Sequence, residues 1–254
     1  MHESSYAKMA SFLATYREEL FAAGAPSILE IGSKSYEGQP SYRELMDPSV
    51  RYTGLDLEHG KNVDLVPSGA YLWPELADEL FDLCISGQTF EHNPFFWVTA
   101  CEVARVLKPD GLCCIIAPGA GPVHRYPIDC YRFYPDSWAA VCHLAGLEPL
   151  EVYYETDDMA DAVSGAEWRD TMLIARKPSA PSSEAEERRR QICAPFQGGF
   201  GEFQPVPQRE GKCVAHYRRT VRKRPRLELR NRIARRLKLG AAEHYPADGG
   251  GGSN

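Results

Sequence analysis

Between residues 27 and 119 the chain repeats one alternation, and nothing else in it restricts the fold as strongly. Short apolar runs, SILEIG (27–32), RYTGLDL (51–57), NVDLV (62–66), LFDLCISG (80–87) and GLCCIIAPG (111–119), alternate with polar or helix-periodic segments. Runs so short and apolar read as strands buried on both faces. Strands alternating with helices require a mostly parallel sheet with helices on both faces. NPFFWVTACEVARVLKPDG (93–111) is the clearest helix, with Pro94 at a first-turn position and KPDG as its stop. In that stop Pro109 fixes φ and Gly111 is free to turn left-handed. PDSWAAVCHLAG (135–146) reads as a second helix, closed by Gly146. LEPLEVYYET (147–156) and DTMLIARK (170–177) are two further strand-like runs, joined closely enough that one of them should be antiparallel. The expected class is α/β: a doubly wound sheet of about seven strands, mostly parallel with an antiparallel last strand.

The flanks differ from this body. Tyr6, Met9, Leu13, Tyr16 and Leu20 recur at helical spacing before Gly24 and Pro26 stop the pattern. From Pro178 the alternation ends. PSAPSSEAEERRRQ (178–191) is linker-like, QGGFGEFQPVPQREG (197–211) is Gly/Pro-rich, and RLELRNRIARRLKLG (226–240) regains a stripe through Leu229, Ile233 and Leu237. The net charge of −6 divides unevenly: residues 1–177 carry 13 Lys+Arg against 27 Asp+Glu, and residues 178–254 carry 16 against 8. Two regions follow: a folded body with an N-terminal helix over 1–177, and a basic, partly disordered extension with a short amphipathic helix over 178–254. Docking on the acidic body is the first expectation for the basic region. Nucleic acid is the alternative, and an anionic membrane surface a further one.

No apolar run approaches the ~20 residues that cross a bilayer, and MHESSYAKMASF lacks the basic start and apolar centre of a signal peptide. A cytoplasmic protein is expected. Of eight cysteines, Cys84, Cys113 and Cys114 lie in strand-like runs and Cys101 and Cys142 in helical ones; no C-x-x-C occurs. Buried reduced thiols are expected, and no metal.

In an open α/β sheet, ligands sit beyond the carboxyl ends of the strands where strand order reverses. After the first run come Glu30, Gly32 and Ser33, with Lys34 and Tyr36 where a dinucleotide loop would place further glycines. A pyrophosphate fits poorly there; a cofactor presenting an ammonium and a carboxylate fits better, with Glu30 toward the ammonium. After the second run Asp56 is placed to accept both hydroxyls of a ribose. Together they read as an adenosine site without a pyrophosphate.

LFDLCISGQTFEHNPFFW followed by EVARVLKPDGLCCIIAP resembles the class I S-adenosylmethionine-dependent methyltransferases of the type 11 kind, over roughly Ser27 to Lys177. That resemblance implies a Rossmann-like fold and S-adenosylmethionine as cofactor, with S-adenosylhomocysteine as product. It implies Glu30, Gly32 and Ser33 at the methionine end, Asp56 at the ribose, Leu57 against adenine, and Ser86 and Gln88 along the middle. No acid follows Val66, so Tyr71 is the candidate for a further adenine contact.

The stretch most informative about the acceptor is GPVHRYPIDCYRFYPDSW (121–138), dense in polar and aromatic side chains. His124 is the expected general base, with Asp129 as its orienter or substitute. Arg132, Tyr126 and His92 are candidates for substrate binding. Asp129 and Arg132, three apart, could equally pair with each other and staple the loop. Glu91 is expected to cap a helix start. The leading expectation is methyl transfer to a small molecule or sugar, at oxygen. The alternatives are an RNA or protein methyltransferase recruited by the basic region, and a cofactor-binding protein without catalysis. Oligomeric state is not indicated.

Overall fold

The computed structural model describes residues 2–156, 164–199, 203 and 212–222. Its contacts divide the chain into a unit over 1–203 and another over 204–254. In the first unit, β1 (Ser27–Ile31) pairs in parallel with β2 (Arg51–Leu55) on one side and with β3 (Phe81–Gly87) on the other. β4 (Leu107–Pro118) continues the parallel ladder beside β3. The last strand, β6 (Asp170–Arg176), runs antiparallel between β4 and β5 (Glu148–Tyr154). The order β2-β1-β3-β4-β6-β5 reverses between β1 and β3, as a doubly wound sheet requires.

The sheet has six strands among the described residues, where about seven were expected. NVDLV contributes one parallel bridge, Leu55 to Leu65. Asn62 takes a left-handed turn at φ 73°. The Asp64 carboxylate then takes the Gly54 amide at 2.7 Å, while the amides of Asp64 and Leu65 share the Gly54 carbonyl. Pro67 withholds the next donor, so the ladder cannot extend.

Each face of the sheet is covered by helix, and the period of two in the strands assigns residues to faces. Leu83, Ile85, Cys114 and Ile116 face Met9 and Phe12 of α1 (Glu3–Thr15), together with Tyr42. Cys84, Cys113 and Ile115 face α3 (Phe96–Val106) and α4 (Pro135–Ala145), around Trp73 and Trp138. The five cysteines expected inside are buried as small apolar groups. The N-terminal stripe breaks at Tyr16, after which α2 (Arg17–Leu20) adds one turn. Gly146 closes α4 at φ 71°.

Two local expectations are corrected. Helix α3 begins at Phe96, so Pro94 precedes it, and the Asn93 side chain takes the Phe95 amide at 2.9 Å. In the KPDG turn the left-handed residue is Asp110, at φ 63°, and not Gly111. Asp tolerates that conformation. Gly111 is needed for space, because a Cβ there would lie 2.8 Å from the Lys108 carbonyl oxygen.

The segment expected to be linker-like holds α5 (Ser183–Cys193). Ser182 caps it by accepting the Ala185 amide at 3.1 Å. Arg188 and Arg189 donate to the carbonyls of His143, Leu144 and Ala145, which α4 leaves unsatisfied at its C-terminus. Alongside these bonds Ala185 is buried and Ile192 and Cys193 pack against the core, too few apolar residues to read as a stripe. In the second unit α6 (Lys212–Arg222) is helical. The stripe at Leu229, Ile233 and Leu237 lies outside the described residues. No helix among the described residues is long and apolar enough to cross a membrane.

Leu83 is fully buried in the central strand β3, whereas Leu57 is 57% exposed. Leu83→Ala is expected to cost about 2–5 kcal/mol in urea unfolding, and Leu57→Ala within about 0.5 kcal/mol.

Candidate active site

The carboxyl ends of the parallel strands β1, β2, β3 and β4 lie along one edge of the sheet, with Gly32, Asp56, Gln88 and the loop that holds His124 following them. At the end of β1, Gly32 takes φ 76°, and a Cβ on it would meet the Thr89 hydroxyl at 2.1 Å. Only glycine fits. The amides of Gly32 and Ser33 both donate to the Leu55 carbonyl, at 2.9 and 3.0 Å, which folds the turn over the end of β2. Asp56 secures the same turn from β2 by accepting the Lys34 amide at 2.9 Å. Ser33 is buried, and its hydroxyl finds no partner among the described residues.

Glu30 sits inside β1, 2% exposed. Its carboxylate accepts from the Tyr52 hydroxyl and, at 2.9 Å, from the Asn62 amide. Burial pushes its pKa up to about 7 against the opposing pull of those two hydrogen bonds. Tyr52 and Asn62 escaped sequence reasoning. Tyr52 lies in a strand-like run with nothing to mark it, and Asn62 within a segment read as a strand. Ser86 is buried, and its hydroxyl donates to Ile31 at 3.0 Å, tying β3 to β1. Gln88 adopts φ 57° and donates to Asp170 at 3.1 Å; its amide oxygen finds no partner among the described residues. Tyr71 packs edge-on against Phe95 and Phe196, at 5.1 and 5.8 Å between ring centroids.

A second group forms where the loop after β4 folds back on the turn after β3. The Glu91 carbonyl accepts the amides of Cys130 and Tyr131, at 2.7 and 3.2 Å, and this pins the loop. Asp129 takes both terminal nitrogens of Arg132, at 2.6 and 2.8 Å, and the His124 amide at 2.8 Å. The paired arrangement of Asp129 and Arg132 is therefore the one observed. Burial favours neutral Asp129, but these hydrogen bonds outweigh it and hold the carboxyl below the usual carboxylate range. The His124 ring lies 4.8 Å from that of His92 and 4.6 Å from that of Trp168. Burial and the neighbouring His92 push His124 below the usual imidazole range, so it is a neutral base at pH 7. Burial does the same to His92, whose Nδ1 lies 2.6 Å from the Ile128 carbonyl oxygen. Tyr126 and Tyr36, exposed and 6.0 Å apart, stand at the rim.

Glu91 does not cap a helix. It is fully buried, and neither carboxylate oxygen finds a hydrogen-bond partner among the described residues. Trp168, which walls the His124 pocket, was also missed; it lies in a polar stretch between the last two strands that carries no periodic signal.

Comparison with known proteins agrees with the resemblance drawn from sequence. Residues 41–115 match the profile of a methyltransferase domain family. An uncharacterized methyltransferase of Mycobacterium leprae is 33% identical over 103 residues, covering 35% of this chain and 37% of that one. The match thus spans little more than a third of that relative. Among solved structures, the 1,6-didemethyltoxoflavin-N1-methyltransferase of Burkholderia thailandensis, bound to 1,6-didemethyltoxoflavin and S-adenosylhomocysteine, superposes with a TM-score of 0.52. It is 15% identical, with 69% of this chain and 79% of that one covered. The CurJ carbon methyltransferase superposes with a TM-score of 0.51 at 14% identity, covering 70% and 56%. The expected Rossmann-like fold is the one these structures share.

The raised pKa of Glu30 gives a pH dependence of stability. The folded state holds the Glu30 proton more tightly than the unfolded chain, so this contribution is complete below about pH 4.5 and lost as pH rises through about 7. Relative to Glu30→Gln, the wild type is expected to lose about 3 kcal/mol between those limits, read by urea unfolding at a series of pH values.

Proposed function

From the premise that this chain carries a class I S-adenosylmethionine-dependent methyltransferase domain, we propose that it methylates a small-molecule or sugar acceptor, at oxygen. The observation that carries this reading is the convergence of His92, His124 and the Asp129–Arg132 pair beside two exposed tyrosines, at the carboxyl ends of β3 and β4. A rim of aromatic and hydrogen-bonding groups suits a polar, ring-shaped acceptor.

The residues around the turn after β1 fit the cofactor. Ser33 and Gln88 offer oxygen atoms that find no partner among the described residues, and Asp56 offers a carboxylate at the end of β2. Asp56 would hold the ribose, with Leu57 exposed beside it for the adenine face. Gly32 and Ser33 would line the methionine end, and Ser86 supports them from below. Glu30, engaged by Tyr52 and Asn62, would act there through those partners. Tyr71 would bound the adenine side. S-adenosylmethionine, when bound, supplies an electrophilic methyl group on a sulfonium centre.

The chain's own residues do the rest. His124, neutral at pH 7, takes the proton that an acceptor hydroxyl must lose. Asp129 fixes the main chain at His124 and stands 3.6 Å from its Nδ1, so it orients the base and steadies the charge it gains. Arg132, held by Asp129 and lying 5.7 Å over Trp168, and Tyr126 would contact the acceptor. Holding acceptor and donor in line is worth several kcal/mol of barrier.

The excess of basic residues over 178–254 supports a second reading, in which this region recruits RNA or an acidic protein as the acceptor. That version requires steeply salt-dependent nucleic-acid binding that disappears with residues 178–254.

Calorimetric titration with S-adenosylhomocysteine, with NAD in parallel, tests the cofactor assignment; micromolar affinity for the former alone is expected. Asp56→Ala should weaken that binding roughly 10- to 100-fold through two lost charged hydrogen bonds, and an unchanged affinity refutes the ribose assignment. With an acceptor in hand, His124→Ala should lower kcat by about 10²–10⁴ with little change in cofactor affinity.

A further inference from the structure

Glu91, His92 and His124 each contribute one ligand-type atom to a group whose members lie within 4.8 Å of one another. Their surroundings leave them unsatisfied in a specific way. Glu91 is fully buried, and both of its carboxylate oxygens lack a hydrogen-bond partner among the described residues. A buried carboxylate in that condition is costly unless it takes up a proton or a cation meets it. The Arg132 guanidinium acts on Glu91 only at a distance, since Asp129 engages it through both terminal nitrogens. His92 Nε2 lies 3.5 Å from Glu91 Oε1. The other ring nitrogen, Nδ1, is 2.6 Å from the Ile128 carbonyl oxygen and so carries the proton. In the neutral ring that leaves the Nε2 lone pair facing the carboxylate. His124 adds a second imidazole.

We propose that Glu91, His92 and His124 form a binding site for one divalent transition-metal ion of the zinc type. Two imidazoles and a carboxylate suit such an ion, whereas magnesium and calcium prefer oxygen throughout. Zinc bonds of about 2.0–2.1 Å place ligands about 3.4 Å apart, so modest ring rotations close the observed spacing. The outer contacts resemble those of a built site. The Ile128 carbonyl fixes the His92 tautomer, while His124 Nδ1 lies 3.5 Å from Arg132 Nη2 and 3.6 Å from Asp129. Asp129 and Arg132 cancel each other's charge, so a bound ion would displace the Glu91 proton and be met by that one carboxylate.

Three protein ligands leave a fourth position open, as catalytic zinc sites do. The Tyr126 ring, 6.2 Å from that of His92, marks the exposed side of the cluster. An acceptor hydroxyl bound to the ion there would release its proton to water more readily, and its oxygen would be held in place. The ion then takes over the task that imidazole performs in the metal-free protein. The site itself stands apart from the methyl-transfer reading; this use of it rests on that reading.

The test uses the full chain, stripped with a chelator and titrated with zinc by calorimetry and with cobalt by visible absorption, without cofactor or acceptor. One ion per chain is expected, with cobalt bands of a four-coordinate nitrogen and oxygen site. Glu91→Gln and His124→Ala should each weaken binding at least ~10-fold and abolish the cobalt bands. Zinc should raise the Tm of the wild type and not of Glu91→Gln. The isosteric Glu91→Gln keeps its volume and loses only charge, so circular dichroism should show it folded. Absence of stoichiometric binding, or binding that both variants retain, overturns the site. Metal binding as expected, with turnover indifferent to the chelator, overturns its role in acceptor activation. Failure to bind S-adenosylhomocysteine would instead count against the methyltransferase reading, with the metal titration unaffected.

Discussion

The parallel ladder of β1, β3 and β4 brings three chain reversals to one edge of the sheet. Parallel strands end on the same side, so Gly32, Gln88 and the loop after Pro118 must meet although they are distant in sequence. The fit is close at the atomic level. Gly32 has no Cβ because Thr89 occupies that space, and Gly87 has none because the Tyr42 hydroxyl would lie 2.1 Å away. Ser86 ties β3 to the Ile31 carbonyl beneath them. Tyr42 in turn is buried and bonds to Ser5, so helix α1 is joined to the sheet just behind this edge.

On that foundation the site divides into a closely bonded half and a less satisfied half. Around β1 and β2, the turn amides are taken by Leu55 and Asp56, and Glu30 is taken by Tyr52 and Asn62. That half is preorganised by the protein's own hydrogen bonds. Around β3 and β4 the loop is stapled by Asp129 and Arg132 and by the Glu91 carbonyl, yet the Glu91 carboxyl itself is left unpartnered. Burial pushes that carboxyl up to about 8, while burial lowers both histidines. A rigid frame around groups of perturbed acidity is the usual setting for chemistry rather than for stability.

Much of this was legible along the chain because it depends on local pattern. The strand-like runs, Gly146 as a helix stop and the buried cysteines follow from apolar periodicity and from the conformational freedom of glycine. The position of Asp56 at the end of its strand, and the polar density from His124 to Arg132, followed from the same pattern. NVDLV misled because its composition suits a strand, while Asp64 and Pro67 divert its backbone hydrogen bonds. Helix α5 was hidden for a complementary reason. It docks through arginines on the carbonyls at the end of α4 and through only Ala185, Ile192 and Cys193 on the core, too few apolar residues to read as a stripe.

The sequence by itself determined the α/β class, the mostly parallel sheet and the placement of Gly32, Asp56 and Gln88 next to strand ends, since each is set by apolar periodicity. Tertiary structure alone decided what Glu91 is. By sequence it stands before Asn93 and Pro94, where a capping carboxylate is natural. In the fold it is sealed from water by the loop after β4 and faces His92 and His124. Burial and the neighbours that come with it are properties of packing between segments about thirty residues apart. No spacing within either segment contains them.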